Sequence, residues 1–282
     1  MVGVLGVSAS AILVRFSQAP SGVTAAYRLG WTVLLLLPVV LLRCRAELRR
    51  VTARDLVLCG ASGVLLALHF LTWFESLKRT SVASSTVLVS TEVIFTAMGF
   101  ALFLHGKIPR LGGWAILLAF GGSALLALSG GGGAGELSGN LLALATASAA
   151  AVYTLIGRIQ RGHLSTTVYT FLTYLACFLT LLLGTAAAGT PLTGYGGREW
   201  LIGLALAVLC TLLGHSLFSW CLKYLSPSYV SAAKLCEPVF SSLAAIPLFG
   251  EVPGPLQLAG GAAVLGAVLL YTWAEREKTP AG

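Results

Sequence analysis

Charge is what this sequence has least of. Only 10% of its 282 residues are Asp, Glu, Lys or Arg, against about 25% in an ordinary soluble domain. Meanwhile 57% are hydrophobic, and the mean hydropathy is +0.89. So little charge cannot coat a water-soluble surface of this length, and disorder, which needs low hydrophobicity and high charge, is excluded. No long polar segment is present, which excludes a soluble enzyme on a single anchor. The six cysteines show no CxxC or metal-ligand spacing. Five of them, Cys59, Cys177, Cys210, Cys221 and Cys236, fall within apolar runs and read as small packing residues. There is no HExxH, no GxSxG and no run of acidic metal ligands. Gly130 to Gly133 is followed by no GKS or GKT and preceded by no strand, so it reads as a linker rather than a phosphate loop. An enzyme is not expected, nor a bound metal or cofactor.

What is present is apolar sequence in long runs. A bilayer span takes roughly 20 apolar residues, and the chain holds ten such runs. They fall at about 2–18, 21–42, 55–77, 80–104, 110–129, 138–158, 165–188, 199–222, 227–249 and 255–274. Helices are expected rather than strands, because a helix satisfies its own backbone hydrogen bonds in lipid. Residues 1–17 lack a basic leader and read as a first span rather than a cleaved signal.

The net charge of +8 would suggest nucleic acid in a soluble protein, but the basic residues are not gathered on one face. They instead report topology. With the N-terminus in the cytoplasm, the cytoplasmic segments hold Arg43, Arg45, Arg49, Arg50, Arg54, Lys107, Arg110, Arg158, Arg161, Lys223, Arg276 and Lys278. The outer segments hold only Lys78, Arg79 and Arg198. Basic residues collect in cytoplasmic loops, so both termini are expected in the cytoplasm. Short loops point to a bacterial inner membrane. The expected partners are the lipid bilayer and a small-molecule substrate, with no nucleic acid and a monomer or homodimer.

Shifting the chain by 145 residues places Lys78 on Lys223, Ser81 on Ser226, Glu92 on Glu237, Phe95 on Phe240, Thr96 on Ser241 and Gly121 on Gly266. His69 and His215 agree to within one residue. The chain therefore reads as two similar halves, 1–130 and 138–282, joined by a glycine-rich linker at 131–137. Each half has five spans. Five is odd, so the second half enters the membrane inverted. The expected fold is an all-α transmembrane bundle of ten helices in two inverted five-helix repeats. Such repeats mark secondary transporters, with the substrate site near the midplane.

The same residues carry a family resemblance. The stretch from Leu68 through His69, Trp73, Glu75, Lys78 and Ser81 to Ala83 resembles the third-to-fourth span junction of EamA-type members of the drug/metabolite transporter superfamily. So does Gly214-His215-Ser216-Leu217-Phe218. Glu237-Pro238-Val239-Phe240 with Leu248-Phe249-Gly250-Glu251 is similar to that family's EPV…GE signature, and Ala25-Ala26-Tyr27-Arg28-Leu29 to its AxxR pattern. The resemblance implies ten helices in two repeats and the movement of small metabolites, amino acids or drugs. In the first half Val93 replaces the proline after the glutamate, and His105-Gly106-Lys107 replaces the GE.

Ionisable groups inside a span cost about 2.5–3.5 kcal/mol each, so each needs a reason. Glu92 and Glu237 lie mid-span at repeat-related positions. Each either binds substrate or a proton, or ties two helices by a structural hydrogen bond. Lys234 lies three residues before Glu237, so the two share a face and can pair, or Lys234 meets the substrate. His69 and His215 either line a cavity, relay protons, or serve as hydrogen-bonded core. Trp73, Phe95, Tyr153, Phe218 and Trp220 suit a ring-bearing substrate or pack helices. Arg28 meets a substrate carboxylate, pairs with Glu75, or snorkels outward. Arg15, near a span end, is expected to snorkel. The candidate substrate-binding residues are thus Glu92, Glu237, His69, His215, Trp73, Phe95, Tyr153, Phe218, Lys234 and Arg28. The third, fourth, eighth and ninth spans are expected to line one midplane cavity, closed by the first and sixth. The function expected is secondary transport by alternating access, in the export direction, with proton coupling through Glu92 or Glu237. The alternatives are a nucleotide-sugar-type exchanger and a non-transporting scaffold or sensor.

Overall fold

A computed structural model of the chain describes residues 2–103, 110–129, 134–225, 227, 230, 234 and 236–276. The Gly130–Gly133 part of the linker, His105-Gly106-Lys107 and much of the start of the ninth expected span lie outside these residues. Among the described residues the fold is all-helical. In chain order the helices are α1 (Val2–Phe16), α2 (Ser21–Arg43), α3 (Arg45–Leu48), α4 (Ala53–Arg79), α5 (Val82–Val89), α6 (Glu92–Phe103), α7 (Arg110–Ser129), α8 (Ala134–Gln160), α9 (Thr166–Ala187) and α10 (Gly197–Ala205). A π-helical stretch Leu206–His215 follows, then α11 (Ser216–Cys221), α12 (Cys236–Phe249) and α13 (Pro255–Arg276). Seven helical runs are long and apolar enough to cross a membrane: Ser21–Arg43, Ala53–Arg79, Val82–Phe103, Gly135–Gln160, Thr166–Ala187, Gly197–Cys221 and Pro255–Ala274. Three shorter apolar helices, Gly6–Phe16, Arg110–Leu126 and Glu237–Phe249, stand where the sequence places the first, fifth and ninth spans.

Local chemistry sets the helix ends. At the start of α4 the Thr52 hydroxyl accepts from the Asp55 amide at 3.2 Å, and Asp55 Oδ2 accepts from the Thr52 amide at 3.0 Å, a reciprocal capping box. Ser81 and Ser165 cap α5 and α9 in the same manner, by accepting from the amides of Ser84 and Val168. The fourth apolar run is not one continuous helix. It breaks at Ser90-Thr91, where the Ser90 hydroxyl donates to the Thr86 carbonyl at 3.0 Å and the Thr91 hydroxyl to the Leu88 carbonyl at 2.6 Å. Such hydroxyls compete with the helical ladder, and Glu92 begins the next helix. The eighth run winds as a π-helix just before His215, a feature frequent at functional positions.

Packing follows the small residues. A Cβ on Gly63 would stand 2.6 Å from the Thr173 carbonyl oxygen, so the missing side chain lets α4 press against α9. Gly122 and Gly260 face each other reciprocally, each one's Cβ position lying 2.9 Å from the other's carbonyl oxygen. They bring α7 and α13 together, as small residues do between membrane helices. The main core joins Leu66, Phe70 and Phe74 of α4 to Tyr174, Cys177 and Leu181 of α9 and to Leu206 and Cys210. Large apolar side chains such as Leu34, Leu42, Leu56, Leu183 and Leu269 point outward instead. This is the inverse of a soluble surface and suits contact with lipid tails.

Polar side chains gather at the two ends. One end holds Arg15, Ser17, Ser21, Glu75, Lys78, Glu199 and Glu251, with Ser17 donating to Glu199 at 2.6 Å and Lys78 to the Ala19 carbonyl at 2.8 Å. The other holds Glu47, Asp55, Gln160, Arg161 and His163, with His163 Nε2 2.7 Å from Asp55 Oδ1. Arg15 does not snorkel. It turns into its end of the bundle, donating to the Leu77 carbonyl and pairing with Glu251.

Candidate functional site

Six apolar runs converge on one interior cavity. Its wall comprises Val7 and Ser10 of α1, Arg28 of α2, His69 and Trp73 of α4, Thr86 and Val89 of α5, Ser90 and Glu92 at the break, His215, Lys234 and Glu237. Seven of these, Arg28, His69, Trp73, Glu92, His215, Lys234 and Glu237, are sequence candidates. The cavity measures about 30 Å³, room for a water molecule or two. A metabolite fits only if the surrounding helices move apart.

Arg28 is fully buried. Its Nε donates to Thr211 Oγ1 at 2.8 Å, its Nη1 to Ser10 Oγ at 3.1 Å, and its guanidinium carbon lies 4.1 Å from the centre of the Phe70 ring. The third nitrogen, Nη2, is buried and has no hydrogen-bond partner among the described residues, and the same holds for Nε1 of Trp73. The readings in which Arg28 snorkels or pairs with Glu75 are therefore corrected. The face of α2 that carries Arg28 packs inward, and Glu75 is engaged by Ser21 at 2.6 Å and Arg79 at 3.2 Å.

Lys234 pairs with Glu92, not with Glu237. Its Nζ lies 2.9 Å from Glu92 Oε1 and 2.7 Å from Oε2, and Thr154 of α8 donates to Oε1 at 3.0 Å. The expected i, i+3 pair is not formed: Lys234 stands before α12, which begins at Cys236, and its Nζ is taken by Glu92. Among the described residues Glu237 makes no hydrogen bond. Lys234 Nζ is also 5.6 Å from the centre of the Phe218 ring.

The two histidines meet edge to face, with ring centres 6.1 Å apart. His69 Nδ1 lies 3.3 Å from the Thr146 carbonyl of α8, so a proton on Nδ1 is donated there. Tyr153 stands behind His215 at 6.4 Å, with its hydroxyl 3.2 Å from Ser219.

This is a cavity of opposed charges and rings, buried among membrane-length helices. The chain matches the EamA-like transporter family over residues 1–128 and 137–273. It belongs to that family. The family match and the membrane-length helices make it a multi-pass membrane protein of a transporter family. An uncharacterized protein of Pseudomonas aeruginosa is 34% identical over 183 residues, 63% of this chain and 62% of its own. The match thus spans less than two thirds of that relative's length. A pseudopaline exporter of the same organism is 23% identical over 207 residues, 73% of this chain and 72% of its own. A solved crystal structure of a protein that is 20% identical superposes with a TM-score of 0.69, over 99% of this chain and 96% of its own, and shares the fold.

Three candidates of this EamA-like transporter fall outside the cavity wall. Phe95 faces away, packs at 6.3 Å against Phe120 and lines an apolar outer groove with Met98, Leu102 and Val152. It lies three residues after Glu92 on the same helix α6, on the flank that meets α7. Tyr153 and Phe218 form a second layer behind His215 and Lys234. Trp220, exposed on α11, packs at a tilt against Tyr224 with ring centres 5.0 Å apart. The residues that sequence reasoning missed are Ser10, Thr86, Ser90 and Thr154. Each is a small hydroxyl in an apolar run, where returning a bond to the preceding turn is the ordinary role. Ser10 and Thr154 are revealed only by their distant partners, Arg28 and Glu92, and Thr86 and Ser90 only by their place on the cavity wall. The second span also lines the cavity, through Arg28, beyond the four expected.

Proposed function

We infer that this transporter exports small metabolites that carry both a carboxylate and an amine, by alternating access about the central cavity. The single observation that carries the reading is the pair of orphaned donors on the wall, Arg28 Nη2 and Trp73 Nε1. A buried donor without a partner costs roughly 1–3 kcal/mol, more when it is charged. A substrate carboxylate relieves that cost and matches guanidinium geometry. Glu237, on the same wall and without a hydrogen bond among the described residues, accepts from the amine. The ring cluster of Trp73, His69 and His215 suits an apolar or aromatic side group.

The architecture belonging to this reading has ten spans in two inverted repeats, 1–130 and 138–282, joined by the linker at 131–137. Packing supports it. Exchanging the halves carries the α4–α8 contact onto the contact between α1 and the π-helical run, and the α6–α8 contact onto α1–α12. The pairs α2–α9 and α7–α13 map onto themselves. The charge count supports cytoplasmic termini in a bacterial inner membrane. The relative named as an exporter supports the outward direction. Protons are the proposed coupling ion, taken up on Glu92 or Glu237; no other cofactor enters the mechanism.

The test compares the spent-medium metabolomes of cells expressing the wild type, Glu237→Ala and Arg28→Gln at equal membrane abundance. Amino-carboxylates are expected to accumulate outside with the wild type alone. Three matching profiles would remove the export reading, and accumulation of compounds without a carboxylate would remove the substrate class.

A further inference from the structure

The two ends of the bundle are closed by arginines in corresponding places, and among the described residues only Arg15 meets an acid. At the end of α1, Arg15 Nη1 donates to the Leu77 carbonyl and, at 3.5 Å, to the Thr80 carbonyl. Near the end of α8, Arg158 Nη1 donates to the carbonyls of Leu222 at 2.5 Å, Lys223 at 3.2 Å and Leu225 at 3.4 Å. Leu222 and Leu225 are Leu77 and Thr80 displaced by 145 residues, the offset that also carries Glu92 to Glu237. Each arginine therefore satisfies carbonyls that a helix C-terminus leaves without a partner, and its charge suits the negative end of the dipole.

The difference lies in what else each arginine holds. Arg15 Nη2 pairs with Glu251 Oε1, and Glu251 Oε2 accepts from the Val82 amide at 2.7 Å. Val82 opens α5, so its amide is one of the unpaired donors of a helix N-terminus. Glu251 thereby ties α1, the α4–α5 junction and the turn after α12. Gly250, with a φ of 69°, makes the turn that aims Glu251 at them. Phe249 completes the closure, 5.2 Å from the Phe16 ring and 5.6 Å from the Arg15 guanidinium. At the other end, Arg158 has no carboxylate partner among the described residues. The sequence from 104 to 109 contains no acid, and Gly106 takes the position that corresponds to Glu251.

We propose that Arg15 and Glu251 form a latch that holds their end of the cavity shut, and that Arg158 closes the opposite end without a latch. Opening the Arg15 end separates an ion pair and strips an acceptor from a helix N-terminus. Opening the Arg158 end breaks hydrogen bonds to carbonyls that incoming water replaces. The resting protein accordingly opens more readily at the Arg158 end. The assignment rests on the alternating-access reading above.

The test places a reporter thiol on the cavity wall, Val89→Cys, in protein whose native cysteines are replaced. A charged, membrane-impermeant methanethiosulfonate is applied from either side of oriented vesicles. In the parent, labelling should be faster from the Arg158 side. Arg15→Gln and Glu251→Gln should each raise labelling from the Arg15 side about tenfold and lower it from the other side. The double variant should stay near the single values rather than multiply to a hundredfold, because partners in one interaction are not additive. Arg158→Gln should raise labelling from its own side only. Hydrogen exchange on protein with its native cysteines gives an independent reading: Arg15→Gln should speed exchange across residues 77–85. An unchanged ratio of labelling from the two sides together with unchanged exchange overturns the latch alone. Faster labelling from both sides at once indicates lost packing and also overturns it. A reporter reached from neither side in any variant overturns both the latch and the transport cavity.

Discussion

Lys234 and Glu92 form an ion pair that spans the cavity between the second half of the chain and the first, with Nζ within 2.9 Å of both carboxylate oxygens. Glu92 is nearly buried, and Thr154 supplies a further hydrogen bond. Removing one member leaves the other charged and unpaired inside the bundle, which costs about 3–5 kcal/mol. Lys234→Met should therefore lower the midpoint of thermal unfolding in detergent sharply. Adding Glu92→Gln should recover most of the loss. A double variant as unstable as the single would show that Lys234 stabilises by packing and not by charge.

Arg28 is held by Thr211, Ser10 and the Phe70 ring with one nitrogen left over. Arg28→Lys keeps the charge and loses the fork. Loss of a charge-assisted bond of about 1.5–3 kcal/mol should raise the KM of reconstituted transport some tenfold to hundredfold for a carboxylate substrate. The methyl ester of that substrate should be transported with nearly the same KM by both proteins. Equal losses for acid and ester would assign Arg28 a purely structural role.

Glu92 and Glu237 occupy repeat-related positions on the cavity wall. If either carries the coupling proton, wild-type efflux from proteoliposomes responds to an imposed pH gradient. A Glu92→Gln, Glu237→Gln protein should exchange substrate more slowly, since Glu237 meets the amine and Lys234 is left unpaired, and what exchange it keeps should show no response to pH. Full rate and full pH response in the double variant would rule out coupling through these groups.

Gly63 and Gly60 make a matched pair of positions on α4. A Cβ on Gly63 meets Ala176 at 2.5 Å and the Thr173 carbonyl at 2.6 Å, whereas nothing lies within 4 Å of one on Gly60. Gly63→Ala should cost about 1–3 kcal/mol through overpacking. Gly60→Ala should fall within about 0.5 kcal/mol of the parent, as open positions do. Thermal unfolding of the two variants in the same detergent checks this, and equal effects would mean that α4 and α9 are not in close contact.

Composition and hydropathy alone determined that the chain lives in a membrane, because 57% apolar residues in helix-length runs leave no other solvent. The repeat offset determined that Glu92 and Glu237 correspond, and the same offset paired the helix ends that Arg15 and Arg158 close. These are one-dimensional properties, since periodicity and spacing survive without coordinates. Only the tertiary structure decided who meets whom. Lys234 stands beside Glu237 in sequence yet pairs with Glu92, whose carboxylate comes within 2.9 Å of its Nζ. Phe95 follows Glu92 by three residues on α6 yet packs outward against Phe120 of α7, a neighbour chosen by helix packing. Arg28 turned from a surface or core ambiguity into a buried cation when Ser10 and Thr211, 18 and 183 residues away, closed around it. Partners that distant are chosen by helix crossing and burial, which no local pattern encodes.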